Sequence, residues 1–267
     1  MQFYRSRFSI FGSIPLLFCL YIGASYAESV EEKGLAIAKE RIARDTGWGD
    51  SYAEMSMILR NSSGQESERK IRVSTLEMQE DGDKGLTVFD EPRDVKGSAF
   101  LSFSHSLEPD DQWMYLPALK RVKRIATQNK SGPFMGSEFS YEDMASFELE
   151  KFRFTYLRDE NYQGESVYVL QQVPLDEYSG YSKQIVWVDK TYYRAVKVEF
   201  YDRKNALLKV LELDNYKQFK DKFWRPMRST MRNVQNGKST VMLTHKIEFG
   251  TGLDESDFNK NSLQRAR

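Results

Sequence analysis

From Tyr52 onward the apolar residues of this chain recur with a period of two, and they continue to do so almost to its C-terminus. "YAEMSMILR" sets Ala53, Met55, Met57 and Leu59 against polar partners, "NSSG" turns the chain, and "SERKIRVSTLEMQ" follows. The same alternation returns in "KGLTVFD", "GSAFLSFSH", "QWMYLP", "KFRFTYLRD", "ESVYVLQQVP", "SKQIVWVD", "YYRAVKVEFY", "ALLKVLELDNY", "FWRPMRSTMRN" and "KSTVMLTHKIEF". Most of these runs are bounded by Gly-, Asn- or Asp-rich turns at short spacing, the pattern of antiparallel meanders. So many consecutive strands cannot lie as one flat sheet. They must curl into a barrel or half-barrel, or split into two layers. The fold class is therefore mainly β (α+β).

One long helix is legible. In "SVEEKGLAIAKERIARDTGWG", Ser29 and Glu32 form a capping box, Leu35, Ala38 and Ile42 share a face, and Gly47 can end the helix in a left-handed turn. A single helix cannot cover the apolar face of so long a sheet. The face needs either a second sheet or a curled sheet whose helical lid leaves an apolar cavity. Met55, Met57, Met78, Met114, Met135, Met227, Met231 and Met242 fall at candidate inward positions, and methionine suits ordinary core and irregular, lipid-like surfaces alike.

The N-terminus addresses the chain. "MQFYRSRFSIFGSIPLLFCLYIGASYA" has two arginines, an apolar stretch and a Ser25-Tyr26-Ala27 ending, the layout of a secretory signal peptide. We expect cleavage after Ala27, retention as an anchor being the alternative, and a single domain over residues 28–267. Cys19 is the only cysteine, so the mature chain would have no disulfide, thiol nucleophile or thiolate metal site. Of 39 basic and 39 acidic residues, loss of Arg5 and Arg7 leaves a slight acidic excess. Near neutrality and export both argue against nucleic acid as partner.

Recognisable catalytic chemistry is missing. His105 and His245 stand in no metal-ligand spacing, there is no GxSxG elbow, and "GPFMG" lacks the Lys and Ser/Thr of a phosphate loop. We expect no metal, no cofactor and no enzyme, but a binder.

"DQWMYLPALKRVKRIATQNKSGPFMGSEFSYEDM", Asp111 to Met144, is the most individual stretch. Asp111, Trp113, Tyr115, Pro117, Leu119 and Val122 resemble the strand, tight turn and return strand of the LolA-like family, the outer-membrane lipoprotein-sorting proteins of the Gram-negative periplasm. "SGPFMGSEFSYEDM" is similar to a lipoprotein-sorting-like branch often found with RND/MMPL-type exporters. The resemblance covers nearly the whole mature chain, including the "LDESDF" ending. It implies an unclosed, strongly curved antiparallel half-barrel whose helical lid plugs the concave side, an apolar cavity for acyl chains, and a non-enzymatic monomeric carrier in the periplasm. "KRVKR" and the Gly-Pro-Phe-Met-Gly loop have no counterpart in classical LolA, so a free lipid, a glycolipid or another amphiphile is as open as an acylated lipoprotein. A lipid- or lipoprotein-sensing module of an envelope-stress pathway is the rival reading.

On this reading Met55, Met57, Leu59, Trp113, Tyr115, Phe134 and Met135 line the ligand cavity. Lys120, Arg121, Lys123 and Arg124 stand at its rim, where each cation near an anionic bilayer contributes about 1 kcal/mol, or meet an acidic face of a partner; a merely solvated charged face is the alternative. Pro117 bends the hairpin at "LPALK". Gly132 and Gly136 make the loop that bears Phe134 and Met135 either a mobile lid or a segment packed permanently on the sheet, and Ser140 with Asp143 approximates a capping box.

Overall fold

The computed structural model describes residues 1–2 and 28–265, so the expected signal peptide lies outside the described residues. The remainder is one antiparallel sheet of 13 strands that does not close. The first meander comprises β1 (Asp50–Arg60), β2 (Glu66–Leu76), β3 (Lys84–Glu91), β4 (Ala99–Phe103), β5 (Asp111–Leu116) and β6 (Arg121–Arg124). The second comprises β7 (Phe152–Tyr162), β8 (Glu165–Pro174), β9 (Tyr181–Asp189), β10 (Ala195–Asp202), β11 (Leu207–Phe219), β12 (Phe223–Asn233) and β13 (Ser239–Phe249). Their spatial order is β6-β5-β4-β3-β2-β1-β13-β12-β11-β10-β9-β8-β7. The halves are thus sewn together along β1 and β13, where Ser51 faces Phe249 and Arg60 faces Ser239 across one bulge at Glu54/Met55. The half-barrel is open because β6 and β7 are edges.

Alternation now has an address on each face. The concave side carries the largest cluster, with Met57, Ile71, Phe89, Phe100, Met114, Leu170, Val186, Phe200, Met231 and Met242. On the other face, Val88, Ala99, Leu101 and Trp113 meet Phe258 and Leu263 from the C-terminal segment, which ends in the short helix α2 (Lys260–Arg265). A third cluster, Val167, Val169, Ile185 and Trp187, backs the second meander.

Helix α1 (Val30–Arg44) begins at the expected capping box: the Ser29 hydroxyl accepts from the Glu32 amide at 3.1 Å, and Glu32 accepts from the Ser29 amide at 2.9 Å. Its buried residues are Gly34, Ile37 and Ala38; of the expected face, Ala38 is buried and Ile42 half-buried, but Leu35 is exposed. The reason is Gly34. A Cβ there would lie 2.8 Å from the Tyr156 amide nitrogen, so the helix seats its one side-chain-free position against the backbone of β7. Close approach, not hydrophobicity, sets the rotation.

The segment between β6 and β7 must travel from one edge of the sheet to the other, and it does so across the concave face. Residues 125–151 run through a series of 3-10 turns and form a plug. Phe134 has no exposed surface and packs against Phe89, Phe100 and Tyr141 at centroid distances of 6.0, 5.0 and 5.7 Å. The plug is fastened to both meanders. Gln112 on β5 donates to the Tyr141 carbonyl at 2.9 Å, and Arg69 on β2 donates to that of Met135. Thr240 on β13 accepts from the Glu138 amide at 3.0 Å, and Asn233 on β12 donates to the Glu138 carboxylate at 2.8 Å. Lys209 on β11 makes a 2.6 Å ion pair with Asp143, both side chains nearly out of solvent at 5% and 7% exposure. Of the two readings of the Gly132–Gly136 loop, the packed one describes this state.

Candidate ligand cavity

Because every strand neighbour is antiparallel, alternate strand ends gather at each end of the half-barrel. At one of them the start of β1, the end of β2, the start of β3 and the end of β4 meet the start of β10, the end of β11 and the start of β12. Helix α1 and the last turns of the plug, from Asp143 to Glu150, complete the wall around a cavity of about 1040 Å³. A second hollow of about 330 Å³ lies at the opposite end, bordered by Leu59, Arg60, Gly136 and Thr240.

The large cavity is not a plain apolar slot. On the α1 side it is bordered by Arg41, Phe147, Tyr193, Arg194, Tyr216, Trp224 and Arg225, and on the far side by Asp83 and Glu148. Arg194 is held by Asp189 at 2.8 Å and sits 4.6, 4.7 and 4.7 Å from the ring centroids of Tyr192, Tyr216 and Trp224, a cation sandwiched by negative ring faces. Arg225 pairs with Asp45, and Arg44 with Glu40 at 2.7 Å. Tyr216 donates to the Ala195 carbonyl, and burial pushes its phenol well above the ordinary range.

On the acidic side burial acts in the same sense as at Tyr216, towards the protonated form. Burial first, and then the neighbouring Asp83, push the Glu148 carboxyl up to about 7. Asp83 is also raised, chiefly by burial, against the hydrogen bonds it accepts from the Met78 amide and the Ser146 hydroxyl at 3.1 and 3.3 Å. Two desolvated carboxyls side by side favour the neutral form. Among the described residues no group of His, Cys, Asp and Glu is placed to hold a metal ion.

The residues expected at the cavity occupy other places. Met57 is fully enclosed in the concave core, with Met55 and Leu59 packed against its margin. Phe134 lies at the centre of that core and Met135 beside it, its backbone left-handed at φ 50°. Trp113 and Tyr115 belong to the cluster on the opposite face, under α2, because Met114 between them takes the inward position. Lys260 stands over the Trp113 ring at 4.6 Å. None of these seven borders the large cavity; Leu59 borders the smaller hollow.

The four cations map onto an edge. Lys120, left-handed at φ 49°, closes the turn Pro117–Leu119, and Arg121, Lys123 and Arg124 are exposed on β6. The hairpin turns at the end of the sheet opposite the large cavity. Arg124 reaches back to pair with Asp111 on β5. The every-third spacing of Leu116, Leu119, Val122 and Ile125 resolves here. Leu116 and Ile125 pack inward, Val122 packs on the other face, and Leu119 is 64% exposed on the turn. Arg41, Arg194, Tyr216 and Glu148 escaped sequence reading, because each borders the cavity from an element end, where periodicity carries no signal.

With this geometry in hand, the chain can be set beside known proteins. A family model described as an uncharacterized protein matches residues 81–265, and no curated protein matches. The crystal structure of a domain assigned to outer membrane lipoprotein sorting, from Vibrio parahaemolyticus, is 61% identical, covers 88% of this chain and 100% of its own, and superposes with a TM-score of 0.87. The chain belongs to the family of that outer membrane lipoprotein-sorting domain. A DUF1329 family protein from Desulfovibrio piger is 27% identical over 88% of this chain and 100% of its own, with a TM-score of 0.84. A LolA superfamily protein from Nitrosomonas europaea, 20% identical over 86% of this chain and 98% of its own at TM-score 0.69, shares the fold. The open half-barrel is thus the LolA-like architecture that "DQWMYLPALKRV" implied, with the plug packed on its concave side.

Proposed function

We propose that this LolA-like chain is a non-enzymatic periplasmic carrier that binds a lipid, or the acyl part of a lipidated cargo, and moves it between envelope membranes. The observation that carries this reading is a cavity of about 1040 Å³ bounded by α1, the plug and one end of an open half-barrel, in a chain 61% identical to a domain assigned to outer membrane lipoprotein sorting. That volume suits a drug- to lipid-sized ligand. Each methylene buried from water contributes about 0.8 kcal/mol, so a short stretch of acyl chain suffices for useful affinity. In this proposal residues 1–27 are a cleaved signal peptide and the carrier is a monomer that works beside an inner-membrane RND/MMPL-type exporter. Among the described residues no helix is long and apolar enough to cross a membrane.

Native mass spectrometry of the protein isolated from its own periplasm, without detergent, tests the proposal. The expected spectrum shows the chain starting at Glu28 with a lipid-sized adduct lost on activation. An adduct-free spectrum, together with failure to take up a fluorescent fatty acid, would overturn the carrier reading.

A further inference from the structure

Arg41 differs from the other arginines of the cavity. Arg44, Arg194 and Arg225 each have a carboxylate partner. Among the described residues no hydrogen bond or ion pair reaches the Arg41 guanidinium, whose one close partner is the Phe147 ring, 4.8 Å from its centroid. Tyr216 and then Asp45 lie near enough to be felt electrostatically, but Tyr216 donates to the Ala195 carbonyl and Asp45 is engaged by Arg225. Arg41 nevertheless lies where protein excludes most of the solvent, and that desolvation lowers its pKa. The residue is half-buried and borders the cavity.

An unpaired, largely desolvated guanidinium is costly to keep. Its planar fork of donors matches a phosphate or carboxylate in two-point fashion. The same cavity wall carries the surfaces an amphiphile needs beside such a group: Ile42 from the helix, Phe147 from the plug, Tyr193 from the turn between β9 and β10, and Trp224 from the start of β12. We propose that Arg41 binds the anionic headgroup, phosphate or carboxylate, of an amphiphile whose apolar part lies against these residues. The inference rests on the carrier reading and names the ligand class. It places headgroup recognition on the first helix, at the end of the sheet opposite the "KRVKR" hairpin.

Titration calorimetry on the mature protein with dodecyl phosphate, dodecyl maltoside and inorganic phosphate tests it. The wild type should bind dodecyl phosphate at least tenfold more tightly than the maltoside, and inorganic phosphate far more weakly than either. Arg41→Gln should reduce dodecyl phosphate affinity at least tenfold, leave the maltoside unchanged and leave the melting temperature at or above wild type. Arg41→Lys should retain part of the preference. Equal loss of both amphiphiles in Arg41→Gln, or no loss of either, would overturn the headgroup role while leaving the carrier reading intact. Inorganic phosphate bound as tightly as dodecyl phosphate would make this a free-anion site and overturn the amphiphile. No binding of either amphiphile by the wild type would sink the carrier reading itself.

Discussion

Lys209 is the residue on which the plug most depends. It donates to the Glu138 carbonyl at 3.0 Å and to Asp143 at 2.6 Å, and lies 5.1 and 5.2 Å from the Tyr181 and Phe200 ring centroids. Asp143 in turn accepts from the Tyr181 hydroxyl at 2.8 Å and caps the turn that starts at Ser140. Removing one member of such a buried pair strands the other charge, at a cost of about 3–5 kcal/mol. Lys209→Met should lower the urea midpoint accordingly. The double variant Lys209→Met/Asp143→Asn keeps the cap without the charge and should recover most of the loss. If the double variant is no more stable than the single one, the stranded charge is not the cause. The sequence advertised Ser140–Asp143 as a local cap; that Asp143 also takes a lysine 66 residues away has no local signature.

At the scale of elements, the two exposed edges of the sheet are guarded differently. Edge β7 carries α1 along its backbone, and Gly34 permits the contact. Gly→Ala inside a helix ordinarily gains about 1 kcal/mol, but here the new Cβ would meet backbone at 2.8 Å, which cannot yield as a side chain tip would. We expect Gly34→Ala to destabilise by about 1–3 kcal/mol, read from thermal or urea unfolding, with Leu35→Ala near neutral; a stabilised Gly34→Ala would refute the close seating. Edge β6 is short and bears Arg121, Lys123 and Arg124 in exposed positions, a charged edge that discourages pairing with a second chain. Replacing Arg121 and Lys123 together by valine should produce concentration-dependent association in size-exclusion chromatography. A variant that stays monomeric, yet binds anionic vesicles less well than wild type, would favour the membrane-rim role that the cationic run first suggested.

The whole molecule carries a pH dependence from Glu148. Its carboxyl titrates at about 7 when folded against an ordinary value of 4.5, so between those pH values the native state holds a proton that the unfolded chain has released. Glu148's contribution to stability therefore falls as pH rises from 4.5 to 7, and above that the folded protein bears the cost of a half-buried carboxylate. Glu148→Gln should flatten this slope in denaturant midpoints measured from pH 4.5 to 8 and exceed wild type above pH 7. An unchanged slope would show that Glu148 is solvated in the native state.

Strand period, turn residues and the Ser29–Glu32 box are local properties, and they alone determined that the chain would form antiparallel meanders with a capped helix in front. The boundaries of β8 and β12 coincide with the runs "ESVYVLQQVP" and "FWRPMRSTMRN". Alternation tells which residues share a face, but it cannot tell which face is covered or by what. The tertiary structure decided that the plug fills the concave core, so Met57 and Phe134 are packing residues, and that α2 covers Trp113 on the reverse. The cavity arises where strand ends from both meanders converge with α1 and the plug. Its walls join residues as far apart as Arg41 and Trp224, and no window of sequence contains such a junction, because the pairing of β1 with β13, which joins the two meanders, is what creates it.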